Sequence, residues 1–245
     1  FEADSNNFFA KLHLLVKQKN KNFNYMLHHF CKIALLVLLC VVELKAQVPL
    51  KMGEWQIHLS YNRATAVAET ANHIFVGTET AMFAYDKAEE SLKTYTSITG
   101  LSELHVKSLA YHQGLSLLII AYNNGNVDLM SNTGDIVNLS DIKRSTILGN
   151  KTINAITLHE NIAYLATGIG VVVLDLERKE VKDTYTLKPN GQNISVNQVA
   201  TNGEVLMAAT PEGMFVADNN NPNLAVFSEW QAYNNLTTNA VDKLV

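Results

Sequence analysis

Residues 163–175 read AYLATGIGVVVLD. An apolar run leads into Gly168-Ile169-Gly170, and Asp175 follows. Two readings compete for such a string. In a dinucleotide-binding turn the glycines open a helix whose N-terminus faces a pyrophosphate, and a third glycine completes the fingerprint. In a β-hairpin the glycine only lets the chain reverse between two strands. The residues after Gly170 decide between them. Val171-Val172-Val173 is a strong strand former, no third glycine appears, and no helical period follows. The hairpin is the reading that fits.

The same string recurs along the chain. IFVGTETAMFAYD (74–86), LIIAYNNGNVDLM (118–130) and LMAATPEGMFVAD (206–218) align with it. Each has an apolar run ending in a small residue: Gly77, Ala121, Ala166 and Ala209. A turn follows, and Ala81, Gly125, Gly170 or Gly213 stands four positions later. A second apolar run closes on Asp86, Met130, Asp175 or Asp218. The small residues are spaced 44, 45 and 43 apart. Short strands precede three of the units at VKSLAY (106), INAITL (153) and VNQVAT (196), and VDKLV (241–245) begins another. More polar strands follow, as in SLKTYTS (91–97) and EVKDTYTL (180–187), with Asn-Gly turns at 124–125, 190–191 and 202–203.

Four short strands every 40–50 residues are the sequence form of a β-propeller blade. The second strand is apolar without alternation, as in LSLLIIAY (115–122). Both of its faces must therefore be covered, as between neighbouring blades. The fold class expected is all-β: a propeller of four-stranded antiparallel blades, about four plus the start of a fifth, over residues 47–245. GEWQIHLSY (53–61) echoes SEWQAYNNL (228–236), the outer strand expected for the fourth unit, so Trp55 is read as part of a rim strand of a closing blade.

The first residues have a different character. Residues 1–25 precede the first Met, Met26, and are read as upstream sequence carried through an open frame, with a long n-region as the alternative. From Met26 the chain has the parts of a secretory signal: Lys32 in the n-region, ten apolar residues at 33–42, and Ala46 before a cut that leaves Gln47 first. Ten apolar residues are half of the roughly 20 that a membrane-spanning helix needs. Both cysteines, Cys31 and Cys40, lie before the cut, and Leu39 before Cys40 does not suit a lipoprotein signal. Residues 47–245 then hold no cysteine, 13 basic and 20 acidic residues, for a formal net charge of −7. Disulfides and thiol chemistry are excluded from that part. No basic patch points to nucleic acid.

The repeat resembles the two-component-regulator type of propeller repeat. Thr99, Gly100, Leu101, Val106 and Leu109 match its first part, and Thr78, Ala81 and Asp86 its second, with Ala81 in place of the usual glycine. A narrower resemblance is to the PorZ-type components of the type IX secretion system of Bacteroidetes. It rests on W-x-x-HLSY (55–61), AYNNGNVDLM (121–130), NLSDIK (138–143), GNKTINAI (149–156) and VVVLDLERKEVKDTY (171–185). That resemblance implies an exported, non-enzymatic surface component of a longer protein with two propellers and a β-sandwich. It also implies a sortase-like peptidase and other secretion-system surface proteins as partners. Anionic lipopolysaccharide would be handled by parts of the protein beyond this chain. A glycan-sensing propeller of a hybrid histidine kinase and a propeller-fold polysaccharide lyase or hydrolase stay open as other classes.

A search for chemistry finds little. His58, His73, His105, His112 and His159 have no metal-pair spacing and are read as turn or rim residues. No G-x-S-x-G elbow occurs. Asp86, Asp175 and Asp218 share one repeat position and are read as strand-end turn makers, with Gly77, Gly125, Gly170 and Gly213 as structural residues of the blades. DNNNPN (218–223) lacks the spacing of a calcium loop. Four N-x-[ST] sites, at Asn138, Asn150, Asn193 and Asn235, are read as incidental. No cofactor is expected.

Overall fold

The computed structural model describes residues 62–189 and 192–233, with Phe30 and Lys32 besides. The chain divides into Phe1–Ile57 and His58–Val245, and the account below concerns the second unit. Several sequence expectations lie outside the described residues: the upstream 1–25, the cut at Ala46/Gln47, the strand at 53–61, the Asn190-Gly191 turn and the strand at 241–245. So does the signal segment 26–46 apart from Phe30 and Lys32.

Among the described residues, sixteen strands form four sheets of four. The first sheet holds β1 (Ala64–Glu69), β2 (His73–Thr78), β3 (Met82–Asp86) and β4 (Ser91–Tyr95). The second holds β5 (Val106–His112), β6 (Leu117–Tyr122), β7 (Val127–Ser131) and β8 (Ile136–Leu139). The third holds β9 (Ile153–His159), β10 (Ile162–Thr167), β11 (Gly170–Asp175) and β12 (Glu180–Tyr185). The fourth holds β13 (Gln198–Thr201), β14 (Val205–Thr210), β15 (Gly213–Asp218) and β16 (Gln231–Ala232). Every pairing is antiparallel and follows chain order, so each sheet is a meander. The first strands of successive sheets lie beside one another. Four such blades, joined by their innermost strands, are the incomplete propeller that the repeat implied.

Three elements differ from the sequence reading. The first unit has its own first strand, β1, whose three alanines and largely exposed residues leave it with little apolar bulk to mark it. β13 starts at Gln198, because Val196 and Asn197 bond instead to Thr167 and Ala209 across blades and within the sheet edge. The fourth outer strand is only Gln231–Ala232; Ser228 and Glu229 belong to a 3-10 turn at Phe227–Glu229. There Trp230 turns inward, donating from its indole N–H to the Leu224 carbonyl at 2.9 Å and tilting against Tyr185.

The absence of alternation in the second strands has a direct cause. In β6, Leu117, Ile119 and Ala121 enter one core, and Leu118, Ile120 and Tyr122 enter another. In β10 and β11, Ala163, Leu165, Val172 and Leu174 face the second sheet's core. Tyr164, Ala166, Val171 and Val173 face the fourth. Each inner blade is therefore sandwiched, and a strand covered on both sides has no solvent face to reward a polar residue.

Hydroxyls lace neighbouring blades at the centre. Thr65 donates to the Val106 carbonyl at 2.5 Å, and Thr157 to that of Val199 at 2.5 Å. The amide of Asn154 donates to the Val196 carbonyl at 2.7 Å.

Candidate functional site

The repeat residues come first, because the site is where the repeat breaks. The β2–β3 turn and its two equivalents in the third and fourth sheets share one device. Thr78, Thr167 and Thr210 are buried, and their hydroxyls donate to the carbonyls of Ala81, Gly170 and Gly213 at 2.9, 2.8 and 2.7 Å. The N–H two residues after each threonine donates back to the same oxygen. The chain reverses at little cost because the turn satisfies its own polar groups. Gly170 and Gly213 follow with φ of 122° and 125°, a region that disfavours side chains. Gly77 sits inside β2, where a Cβ would collide with the Val106 side chain of the next blade.

The aspartates sit at strand ends. Asp86 accepts N–H bonds from Ala88 and Glu89 at 2.8 and 2.9 Å. Those bonds hold its carboxyl below the usual range. Asp175 accepts from Glu177 and Arg178, and Asp218 from Asn220. The second oxygen of Asp175 meets the Arg178 guanidinium at 3.8 Å. His105, with φ of 58°, precedes β5, while His73, His112 and His159 sit at strand ends, and His58 is outside the described residues.

The second blade departs from this pattern. Where its sisters carry threonine it has Tyr122, fully buried. Its phenol donates to the buried carboxylate of Asp128 at 2.6 Å. The Ser102 N–H (2.8 Å) and the Asn138 amide (2.8 Å) complete the shell of Asp128. Asn138 also donates to Asn126, whose own amide donates to Glu103 at 3.1 Å, and Lys143 pairs with Glu103. Burial works to raise the Glu103 carboxyl, but Lys143, Asn124 and Asn126 outweigh it and hold it below the usual range. Burial, then the adjoining Asp128, drives the Tyr122 phenol well above the usual tyrosine value. The network thus ties the 96–105 connection and the short helix α1 (Asp141–Arg144) to the second blade. No repeat pattern pointed to it. The available signals were a tyrosine at a threonine position and an aspartate inside the apolar run VDLM.

On the opposite face a cleft of about 470 Å3 opens between the first and second blades. Phe75, Leu118 and Met130 floor it, all buried, and Tyr95 and Tyr111 wall it. Lys93 stands at its mouth with its ammonium 5.1 Å from the Tyr95 ring centre. Beside the floor, His73 lies 5.8 Å from Phe75 and pairs with Asp86 at 3.3 Å. Among the described residues no group of three His, Cys, Asp or Glu converges as a metal site. Among them, too, no helix is long and apolar enough to cross a membrane.

Comparison with known proteins places this geometry. A family model described as the N-terminal β-propeller domain of PorZ, of the type IX secretion system, matches residues 74–231. The solved PorZ of Porphyromonas gingivalis, described as an essential bacterial surface component of that system, superposes with a TM-score of 0.68 at 27% identity. The match covers 76% of this chain and 24% of PorZ, so the chain spans about a quarter of that protein's length. The extracellular domain of a hybrid two-component system from B. thetaiotaomicron matches at 15% identity and a TM-score of 0.57, over 74% of this chain and 24% of that one. The computationally designed Ika4 protein matches at 16% identity and 0.52, over 68% of this chain and 99% of its own. At such identities the last two share the fold alone. No curated protein matches in sequence.

Proposed function

The chain belongs to the family of PorZ N-terminal β-propeller domains, and from that premise we propose that it is a non-enzymatic recognition part of a type IX secretion machine. It is exported and works at the cell surface. Its rigid blades hold loops and clefts in place for protein partners, among them a sortase-like peptidase that processes cargo. Lipopolysaccharide is engaged by parts of the protein beyond this chain.

One observation carries the reading: residues 74–231 match the family model, and the 27% identical PorZ is a surface component of that system. The blade geometry is in keeping with it. Asp86, Asp175 and Asp218 each commit one carboxylate oxygen to turn N–H groups, which suits a scaffold role for this repeat position. The test is deletion of the gene region encoding residues 62–233 in its native host. Surface attachment of cargo should fall sharply while cargo accumulates unprocessed inside the envelope. Unchanged surface cargo would refute the proposal.

A further inference from the structure

We propose that the cleft between the first and second blades is the seat for one aromatic side chain of a protein partner, flanked on that partner by carboxylates. The inference rests on the recognition reading above and supplies a specific contact for it.

The argument begins with what lines the space. Phe75, Leu118 and Met130 give an apolar, polarisable floor, and Tyr95 and Tyr111 rise on either side. A Met–aromatic floor accepts a planar ring well, since sulfur and ring edges attract ring faces. A volume of about 470 Å3 holds one indole or phenol with its linking chain and excludes a folded loop. Buried aromatic anchors in such pockets supply much of the affinity of protein interfaces.

The polar chemistry then separates a peptide from a sugar. A saccharide needs a flat, free ring face and, as a rule, carboxylate acceptors for its hydroxyls. Asn72, His73, Ser131 and Asn132 along the rim offer polar groups, but no Asp or Glu lines this cleft. Phe75 and Tyr95 stand 6.4 Å apart at 48°, so they make a corner and not a platform. The Tyr95 face is already covered by the Lys93 ammonium. The cleft is a socket, and what fits a socket is a projecting ring.

Lys93 gives the charge. Among the described residues no carboxylate pairs with it, so its charge is left to the cleft and to the Tyr95 ring. A cation above an apolar floor and a polar rim favours an anion beside the inserted ring, and steers it there at low salt.

The capped tripeptides Asp-Trp-Asp, Lys-Trp-Lys and Asp-Ala-Asp, with hexagalacturonate, are titrated into the full chain and followed by saturation-transfer NMR. Two variants accompany it, both at exposed positions and checked for fold by circular dichroism. Lys93→Glu reverses the rim charge, and Asn132→Trp, on the hairpin that borders the cleft, plugs it. Asp-Trp-Asp should bind at least tenfold more tightly than either other peptide. Lys93→Glu should invert the preference toward Lys-Trp-Lys, and Asn132→Trp should abolish binding of both. Equal affinity for the two tryptophan peptides, indifference to Lys93→Glu, or no peptide binding would overturn the proposal. Hexagalacturonate binding that the plug removes, without peptide binding, would give the cleft to a sugar and overturn it too. Cargo attachment in the deletion strain reads the broader function separately.

Discussion

Gly170 shows how single residues hold the blade turns. Its φ is 122°, and a Cβ there would run into the carbonyl oxygen of Tyr185 on the neighbouring strand. Backbone strain and steric conflict act together, because a carbonyl in a ladder has nowhere to move. Gly170→Ala should cost at least about 1–3 kcal/mol in urea unfolding. Gly203→Ala has a similar φ of 97° but meets only the flexible His159 ring, and should cost less, about 1 kcal/mol. Equal costs would mean that strain alone matters. Tyr122 gives a second case. Tyr122→Phe keeps the packing but removes one donor from a buried carboxylate, which should cost about 1.5–3 kcal/mol. The phenols also fix the alkaline limit. Burial first, then the nearby Tyr164 and Asp183, push Tyr185 from 10.0 up to about 12, and Tyr122 shifts the same way. A phenol held neutral by folding binds its proton more tightly in the native state. Its contribution is complete below pH 10 and is lost as pH rises through about 12. Tyr185→Phe should flatten the fall of the melting temperature across that window; an unchanged slope would count against a buried Tyr185.

At the scale of elements, the sheets grade from centre to rim. All six residues of β6 are buried, whereas β4 exposes four of its five. Hydrogen exchange should therefore protect the amides of β6 and β10 far longer than those of β4 and β8, by orders of magnitude. Uniform protection across a sheet would show that blades open only as wholes. This gradient is also why part of the fold was legible in the sequence. The continuous run LLIIAY and the 43–45 residue step expose the second and third strands of every unit. In the second and third units they do so because those strands are covered on both faces, while β2, β3, β14 and β15 are only partly so. Outer and innermost strands bury less, so composition marks them poorly: β1 reads ATAVAE, β8 is IVNL, and β16 is two residues long. The Tyr122–Asp128 network was out of reach for another reason. Its members, from Ser102 to Lys143, come from four separate segments that only the closed meander brings together. The cleft is similar, since Phe75 and Met130 belong to different blades.

The described blades form a row in which each touches its neighbours, and their stability should divide accordingly. Successive residues of one strand serve different interfaces: Ile119 lies in the core shared with the third blade, Ile120 in that shared with the first. In a layered array of this kind, stability is a sum of blade terms and nearest-neighbour terms. Ile119→Ala and Ile120→Ala should each cost about 2–5 kcal/mol, because both side chains are fully buried. Their couplings should differ. Leu165 shares a core with Ile119 and not with Ile120. A double-mutant cycle of Leu165→Ala with Ile119→Ala should give an interaction energy of about 0.5–3 kcal/mol, while the cycle with Ile120→Ala should stay within about 0.5 kcal/mol. Met82, which shares the core of Ile120, should show the reverse preference. Equal coupling of Leu165 to both isoleucines would mean that strain crosses the second blade as through a continuous solid. A ring touching the cleft between the first and second blades could then be felt at the fourth. Coupling confined to shared cores would instead leave each cleft an independent seat, with the loops of one blade pair free to change without disturbing the next.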